Sequence, residues 1–261
     1  MGTIVDTIAD HARQRVAIAK EKLSAEKIKL AAYDTPKGDF GFEKALGKPG
    51  ISFICECKKA SPSKGIIAKE YPYMKIAEEY EAAGADAISV LTEPKWFLGS
   101  NDHLKDVTGK VKIPVIRKDF TVDEYMIYEA KLLGASAVLL IVSILPEDVI
   151  RNYINICDDL GLSALVETHD ADEIHAAVSA KARIIGVNNR NLRDFSVDTG
   201  LSAQLRSLIP EDIIFVSESG VRSPEDIRNI RNSGADAVLV GETLMRAADK
   251  TQKLAELRKE A

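Results

Sequence analysis

Eight short apolar, β-branched runs recur along this chain, and most of them end in a charged or amide side chain. Residues 51–55 run into Glu56 and Lys58, Val115-Ile116 into Arg117-Lys118, and 164–166 into Glu167. Later, 184–187 meet Asn188 and 213–216 meet Ser217-Glu218. Uniformly apolar runs of this length suit strands covered on both faces, which is the condition of a parallel sheet. Polar residues at the C-terminal ends of parallel strands gather on one rim, where barrel enzymes keep their chemistry.

The strands are placed at 51–57, 87–91, 114–117, 137–142, 163–166, 184–187, 213–216 and 237–240. Amphipathic helices separate them, with start signals at Thr121-x-x-Glu124, Asp170-x-x-Glu173 and Ser223-Pro224-x-Asp226. Each sets a side-chain acceptor ahead of the helix and an acid at or near its third position. A near-repeat leads into three strands: Ala83-Gly84-Ala85-Asp86, Leu133-Gly134-Ala135-Ser136 and Ser233-Gly234-Ala235-Asp236. Glycine there fits the left-handed residue that ends a helix before a tight turn. Eight β-α units in about 200 residues predict a (β/α)8 TIM barrel. The alternative, a doubly wound open sheet, would carry a glycine-rich turn after its first strand, and this chain has Lys58-Lys59-Ala60-Ser61-Pro62-Ser63.

Residues 1–50 read differently. Ile8, Ala12, Val16, Ala19 and Leu23 recur at helical spacing, and Pro36, Gly38, Gly41, Gly47, Pro49 and Gly50 mark loop. The expectation is one domain over 1–261, with 1–50 an N-terminal helical extension packed on the barrel.

Composition narrows the function classes. A net charge of −5 gives no basic footprint for nucleic acid or an anionic membrane. The longest apolar stretch, 137–142, is far short of the roughly 20 residues of a spanning helix. Asp6, Asp10, His11 and Arg13 break up any signal-peptide core, so a cytoplasmic location is expected. Three cysteines make no disulfide framework, and Cys55-x-Cys57 lacks the second ligand pair of a metal site. No metal and no cofactor are expected, and the chain reads as a monomer or weak homo-oligomer.

Alternation along the first strand puts Glu56 and Lys58 on one side, aimed at the barrel mouth or, structurally, forming an ion pair that closes the barrel. Lys118 suits a general acid, a Schiff-base nucleophile or an anion clamp, and a salt bridge to Asp119 is the local alternative. Glu167 facing lysines suits a general base or the stabilisation of a developing cation. His169 reads as a loop or helix-cap residue, and His175 as exposed on a helix. Asn188-Asn189-Arg190 suits a carboxylate or hydroxyl-rich ligand, or simply a turn. Ser217-Glu218-Ser219-Gly220 and Gly241-Glu242 follow the last two strands, where barrels grip phosphate with backbone amides. The Glu242 side chain is expected to turn away from that grip.

Together, Glu56-Cys57-Lys58-Lys59-Ala60-Ser61-Pro62-Ser63, Leu91-Thr92-Glu93-Pro94, Ile116-Arg117-Lys118-Asp119-Phe120, Val166-Glu167, Gly186-Val187-Asn188-Asn189-Arg190-Asn191-Leu192 and Ser217-Glu218-Ser219-Gly220 closely resemble the indole-3-glycerol phosphate synthase family. The likeness spans the whole chain. It implies ring closure of 1-(2-carboxyphenylamino)-1-deoxyribulose 5-phosphate with loss of carbon dioxide and water, a step of tryptophan biosynthesis. By that resemblance Lys118 protonates the ketone, Glu167 stabilises the cationic intermediate, and Lys58, held by Glu56, assists dehydration or steers the substrate. Asn188 and Glu218 take polar roles, Arg190 lies near the anthranilate carboxylate, and Phe97 and Phe120 wall the aromatic ring. Ser61, Ser219, Gly220, Gly241 and Glu242 belong to the phosphate side. Trp96 and Thr168 depart from the family pattern and are expected to affect pocket shape. The rival readings are another sugar-phosphate barrel isomerase, a Schiff-base aldolase using Lys118, and a non-catalytic phosphate binder.

Overall fold

A computed structural model describes residues 3–192 and 194–261. Eight parallel strands close on themselves: β1 (Ser52–Cys57), β4 (Ala87–Leu91), β5 (Val115–Lys118), β6 (Ala137–Ile141), β7 (Ser163–Thr168), β8 (Ile184–Asn188), β9 (Ile214–Glu218) and β10 (Ala237–Val240). β1 pairs with both β10 and β4, which seals the barrel. The short strands β2 (Ala60–Ser61) and β3 (Gly65–Ile66) form a hairpin in the loop after β1.

The outer layer holds α4 (Tyr73–Ala82), α5 (Asn101–Thr108), α6 (Glu124–Leu132), α7 (Glu147–Leu160), α8 (Ala171–Ser179), α9 (Leu201–Leu205), α10 (Pro224–Asn232), α11 (Glu242–Arg246) and α12 (Lys250–Leu257). Ahead of the barrel come α1 (Ile4–Lys22), α2 (Ala25–Asp34) and α3 (Gly41–Leu46).

Strand alternation divides the core in two. Cys55, Cys57, Val90, Val138, Val166 and Val187 face the helices. Ile54, Ala87, Ile116, Leu139, Leu165, Val216 and Leu239 fill the barrel interior. One step further along each interior row stand Glu56, Lys118, Glu167 and Glu218, so the site is the last layer of the core.

The floor of the interior is closed by α3. Its Phe42 and Leu46 are fully buried among the interior side chains. Residues 41–46 were expected to be loop, because glycines at 38, 41 and 47 punctuate them. The driving force is instead burial of Phe42 and Leu46 at the open end of the barrel, which outweighs the weak local preference.

The helix starts follow the expectations at two of three places. Asp170 accepts from the Glu173 amide, and Ser223 with Asp226 forms a reciprocal capping box. At α6 the cap is Asp123, accepting from the Tyr125 amide at 2.9 Å, rather than Thr121, which is buried one turn earlier. The recurrent glycines Gly84, Gly134 and Gly234 all have φ between 81° and 88°, the left-handed conformation that lets the chain turn from helix to strand.

Candidate active site

A cavity of about 650 Å³ opens at the C-terminal rim of the strands. It is lined by Glu56, Lys58, Ser61, Phe97, Lys118, Phe120, Glu167, Asn188, Arg190, Glu218, Ser219, Gly220, Gly241 and Glu242, all named as candidates from the sequence.

At its base the Lys118 Nζ lies 3.1 Å from Glu218 Oε2 and 3.4 Å from Glu167 Oε2. The Lys58 ammonium pairs with Glu56 Oε2 at 2.5 Å. These pairs sit at the strand ends, so the reading of Glu56 and Lys58 as a barrel-closing ion pair at the opposite end does not hold. Asp119 does not pair with Lys118. Its carboxylate is held by α1 instead: Arg15 grips both its oxygens at 2.7 and 3.1 Å, and the Thr92 hydroxyl donates at 2.6 Å.

Two glycines make room for the charged groups. A Cβ at Gly186 would strike Glu218 Oε1, and one at Gly241 would strike Glu56 Oε2. At both places a side chain would displace the carboxylate from its present position, an effect of close approach rather than of backbone conformation.

The carboxylates titrate apart. Burial raises Glu218, Lys118 pulls it back, and neighbouring Glu167 adds to the rise, leaving it at about 7. For Glu167 burial acts in the same direction, but Lys118, His169 and Asn188 outweigh it and hold the group well below the usual carboxylate range. Lys118 is opposed by burial, yet the surrounding Glu218, Glu167 and Glu56 keep its ammonium protonated well beyond its ordinary value. One carboxylate is therefore firmly ionised while another is poised to carry a proton near neutrality, the division of labour that acid-base chemistry needs.

The loops complete the walls. Glu93, fully buried, accepts from the backbone amides of Lys95, Trp96 and Phe97 at 2.7–3.0 Å and so shapes the turn that presents Phe97. The Phe97 and Phe120 rings stand 6.3 Å apart across the mouth. Asn188 and Asn189 divide the two readings of their segment. Asn188 faces the cavity, whereas Asn189 is a buried structural amide bonded to Ser217, Ser219 and Ser202. The Arg190 guanidinium is steadied by the Phe195 carbonyl at 3.1 Å and lines the same cavity.

On the opposite side, Ser219 and Gly220 both have positive φ, 67° and 99°, which curls the backbone after β9. Gly241 precedes α11, and the Glu242 carboxylate pairs with Arg246 at 2.9 Å, both residues lining the cavity.

Three features were not read from the sequence. Ile4, Val5 and Ile8 of α1 form part of the cavity wall, so the N-terminal extension contributes to the site as well as packing on the barrel. The hairpin β2–β3 presents Ser61. His169 sits in the loop as expected, but its ring faces Glu167, with Nε2 at 3.4 Å from Glu167 Oε1. The spacing His169-x-x-x-Glu173 signals only the ring's other contact, Nδ1 with Glu173 at 3.1 Å. Neither Trp96 nor Thr168 lines the cavity, contrary to expectation. Trp96 packs edge-on against His11 of α1, and alternation turns Thr168 outward, where its hydroxyl donates to the Gly186 carbonyl.

Among the described residues no group of three or more His, Cys, Asp or Glu could hold a metal ion, and no helix is long and apolar enough to cross a membrane.

Comparison with known proteins bears on the fold and the family. Solved barrels share the fold at low identity: thiamine phosphate pyrophosphorylase from Pyrococcus furiosus superposes with a TM-score of 0.62 at 17% identity, covering 84% of this chain and 96% of that one. An indole-3-glycerol phosphate synthase of Ruminiclostridium cellulolyticum is 55% identical over 98% of both chains. One of Endomicrobium trichonymphae is 50% identical over 98% of this chain and 99% of its own. The model of the indole-3-glycerol phosphate synthase family matches residues 5–257, and the chain belongs to that family.

Proposed function

We propose that Lys118 is the general acid of ring closure and Glu167 the carboxylate that carries the cationic intermediate, in an indole-3-glycerol phosphate synthase acting on 1-(2-carboxyphenylamino)-1-deoxyribulose 5-phosphate. The observation that carries this reading is the Lys118 ammonium held between two buried carboxylates, with Lys58–Glu56 beside it on the same rim.

The ring carbon bearing the carboxylate attacks the ketone carbon, and the ketone oxygen takes a proton from Lys118. Carbon dioxide then leaves, its bonding electrons restoring the aromatic ring. The new hydroxyl departs as water with a proton from the Lys58 side, while Glu167 accepts the proton lost from the adjacent carbon. Two protons are taken and one is returned, so each turnover draws one proton from solvent. Glu218, poised near neutrality, suits the return of a proton to Lys118. Arg190 holds the anthranilate carboxylate, Phe97 and Phe120 hold the ring, and Asn188 orients the reacting chain. Ser61, Ser219 and the amides around Gly220, Gly241 and Glu242 hold the phosphate.

The aldolase reading fits less well. A Schiff-base lysine must be neutral to attack, and two carboxylates at 3.1 and 3.4 Å keep Lys118 charged. We further propose one working domain over 1–261, a cytoplasmic location and a monomer or weak homo-oligomer. A reducing compartment suits the three buried free cysteines.

The test is incubation of the purified chain with the carboxyphenylamino sugar phosphate, followed by indole fluorescence and by borohydride treatment. Indole product without a covalent adduct supports the proposal. A reduced adduct on Lys118 overturns the acid-catalyst role.

A further inference from the structure

Behind Glu167, on the side away from the cavity, two further charged groups stand in a row with it. Glu173 Oε2, at the start of α8, accepts from the His169 backbone amide at 2.7 Å and lies 3.1 Å from His169 Nδ1. His169 Nε2, at the far end of the same ring, lies 3.4 Å from Glu167 Oε1. The other oxygen of Glu167 faces Lys118. Glu167 lines the cavity, whereas His169 and Glu173 do not.

We propose that His169, fixed by Glu173, is a positioning residue for Glu167: an imidazolium that holds the carboxylate ionised and turned so that its second oxygen meets Lys118 and substrate. The inference rests on the reading of Glu167 as a working carboxylate.

The chemistry of the row supports it. A histidine between two carboxylates is favoured as the cation: Nδ1 is fixed by Glu173, and Nε2 stands at ion-pair distance from Glu167 without a formed hydrogen bond, free to close on it as the carboxylate turns. Burial opposes the charge, but the Glu167 and Glu173 carboxylates raise the His169 pKa to about 10, so the ring stays charged through the neutral range. The charged and titratable groups that face Glu167 are Lys118 from β5 and His169 from its own loop, with the Asn188 amide from β8, and the carboxylates Glu218 from β9 and Glu56 from β1, which oppose its ionisation. Those that face His169 are Glu167 and Glu173. Glu173 already has a task as an N-terminal carboxylate of α8, and its double hold on His169 is what orients the ring.

The test uses His169→Gln, Glu173→Gln and the double variant, with kcat, KM and pH profiles measured on the full chain and Glu167→Gln as a control. Glutamine at 173 still accepts from the His169 amide, so the cap survives. His169→Gln is expected to lower kcat on the order of 10- to 100-fold with little change in KM, by analogy with partners that orient metal-ligating side chains. Its acidic limb moves to higher pH, because Glu167 has lost a neighbouring cation. Glu173→Gln leaves His169 with one carboxylate, so its activity falls at a lower alkaline pH than in the parent. The double variant is no worse than His169→Gln alone, since both changes remove one device. Single variants with the parent's kcat and both pH limbs, whether or not they melt earlier, overturn the proposal while leaving the function intact. Full turnover by Glu167→Gln instead overturns the role assigned to Glu167, and the proposal with it.

Discussion

Replacing Lys118 by methionine removes the ammonium between Glu167 and Glu218 while keeping an unbranched stem. Loss of one partner from a buried ion pair usually costs about 3–5 kcal/mol, because a carboxylate is left charged and alone. Here the structure supplies an outlet. Burial already raises Glu218 to about 7 with the lysine present, so without it the carboxyl takes up a proton at neutral pH. Glu167 keeps His169 and Asn188, and Glu56 keeps Lys58. The native variant thus binds a proton that the unfolded chain, with glutamate near its ordinary value of about 4.3, does not. Stability must then fall as pH rises, by up to about 1.4 kcal/mol per pH unit. In the parent that slope ends once pH passes about 7. In the variant it continues, so between pH 7 and 9 the variant loses up to about 2.7 kcal/mol relative to the parent. For 261 residues this lowers the melting temperature by about 5 °C. Calorimetry of both proteins at pH 6, 7, 8 and 9 reads it directly. A melting difference that stays constant across that range would refute the reasoning.

Glu167→Gln removes the charge that faces Lys118 and keeps the shape, and Lys118 retains Glu218 while His169 retains Glu173, so turnover should fall roughly 10²- to 10⁴-fold with the fold intact and only a moderate loss of stability; a collapse in thermal stability would make the residue structural. Gly186→Ala drives a methyl onto Glu218 Oε1 and to 3.2 Å from Leu165 Cδ1. Overpacking of this kind costs about 1–3 kcal/mol, and urea titration should show it together with a drop in kcat as Glu218 is pushed off Lys118. Phe42→Ala opens a void at the opposite end of the barrel, where the ring is fully buried. It should cost about 3–5 kcal/mol yet leave kcat unchanged at temperatures well below melting.

The barrel was legible because its signals are repeated and local. Each strand is an apolar run, several helices exit at a glycine (Gly84, Gly134, Gly161 and Gly234), and each interior row obeys the same two-residue period that carries Ile54 to Glu56, Leu165 to Glu167 and Val216 to Glu218. That period is also why Glu56, Lys58, Lys118, Glu167, Asn188 and Glu218 stand out: a polar group at the end of an interior row has nowhere to point but the mouth, whereas Ser61, Phe97, Phe120 and the place of Arg190 followed from the family resemblance. The strand ends were drawn one or two residues short at Lys118, Thr168, Asn188 and Glu218, since a polar residue looks like the end of a run.

What escaped depends on partners distant in sequence. The helix α3 has only six residues, too few for periodicity to stand out, and exists because Phe42 and Leu46 fill the barrel floor. The hairpin β2–β3 has two residues per strand, below any pattern. The place of α1 over the mouth is set by contacts across about a hundred residues, Arg15 with Asp119 and Lys20 with Asp123. Helical spacing showed an apolar face but not what it would cover. His169 was read by position alone, and its ring acquires meaning only when the end of β7 and the start of α8 are brought together.

The central claim is that Lys118 gives the proton that lets the ring close. It is tested most directly by comparing Lys118→Ala with the parent in turnover of the carboxyphenylamino sugar phosphate, followed by indole fluorescence, alongside binding of the same compound. The account predicts a loss of roughly 10² to 10⁴ in kcat with only a modest change in affinity. Turnover at the parent's rate would contradict it.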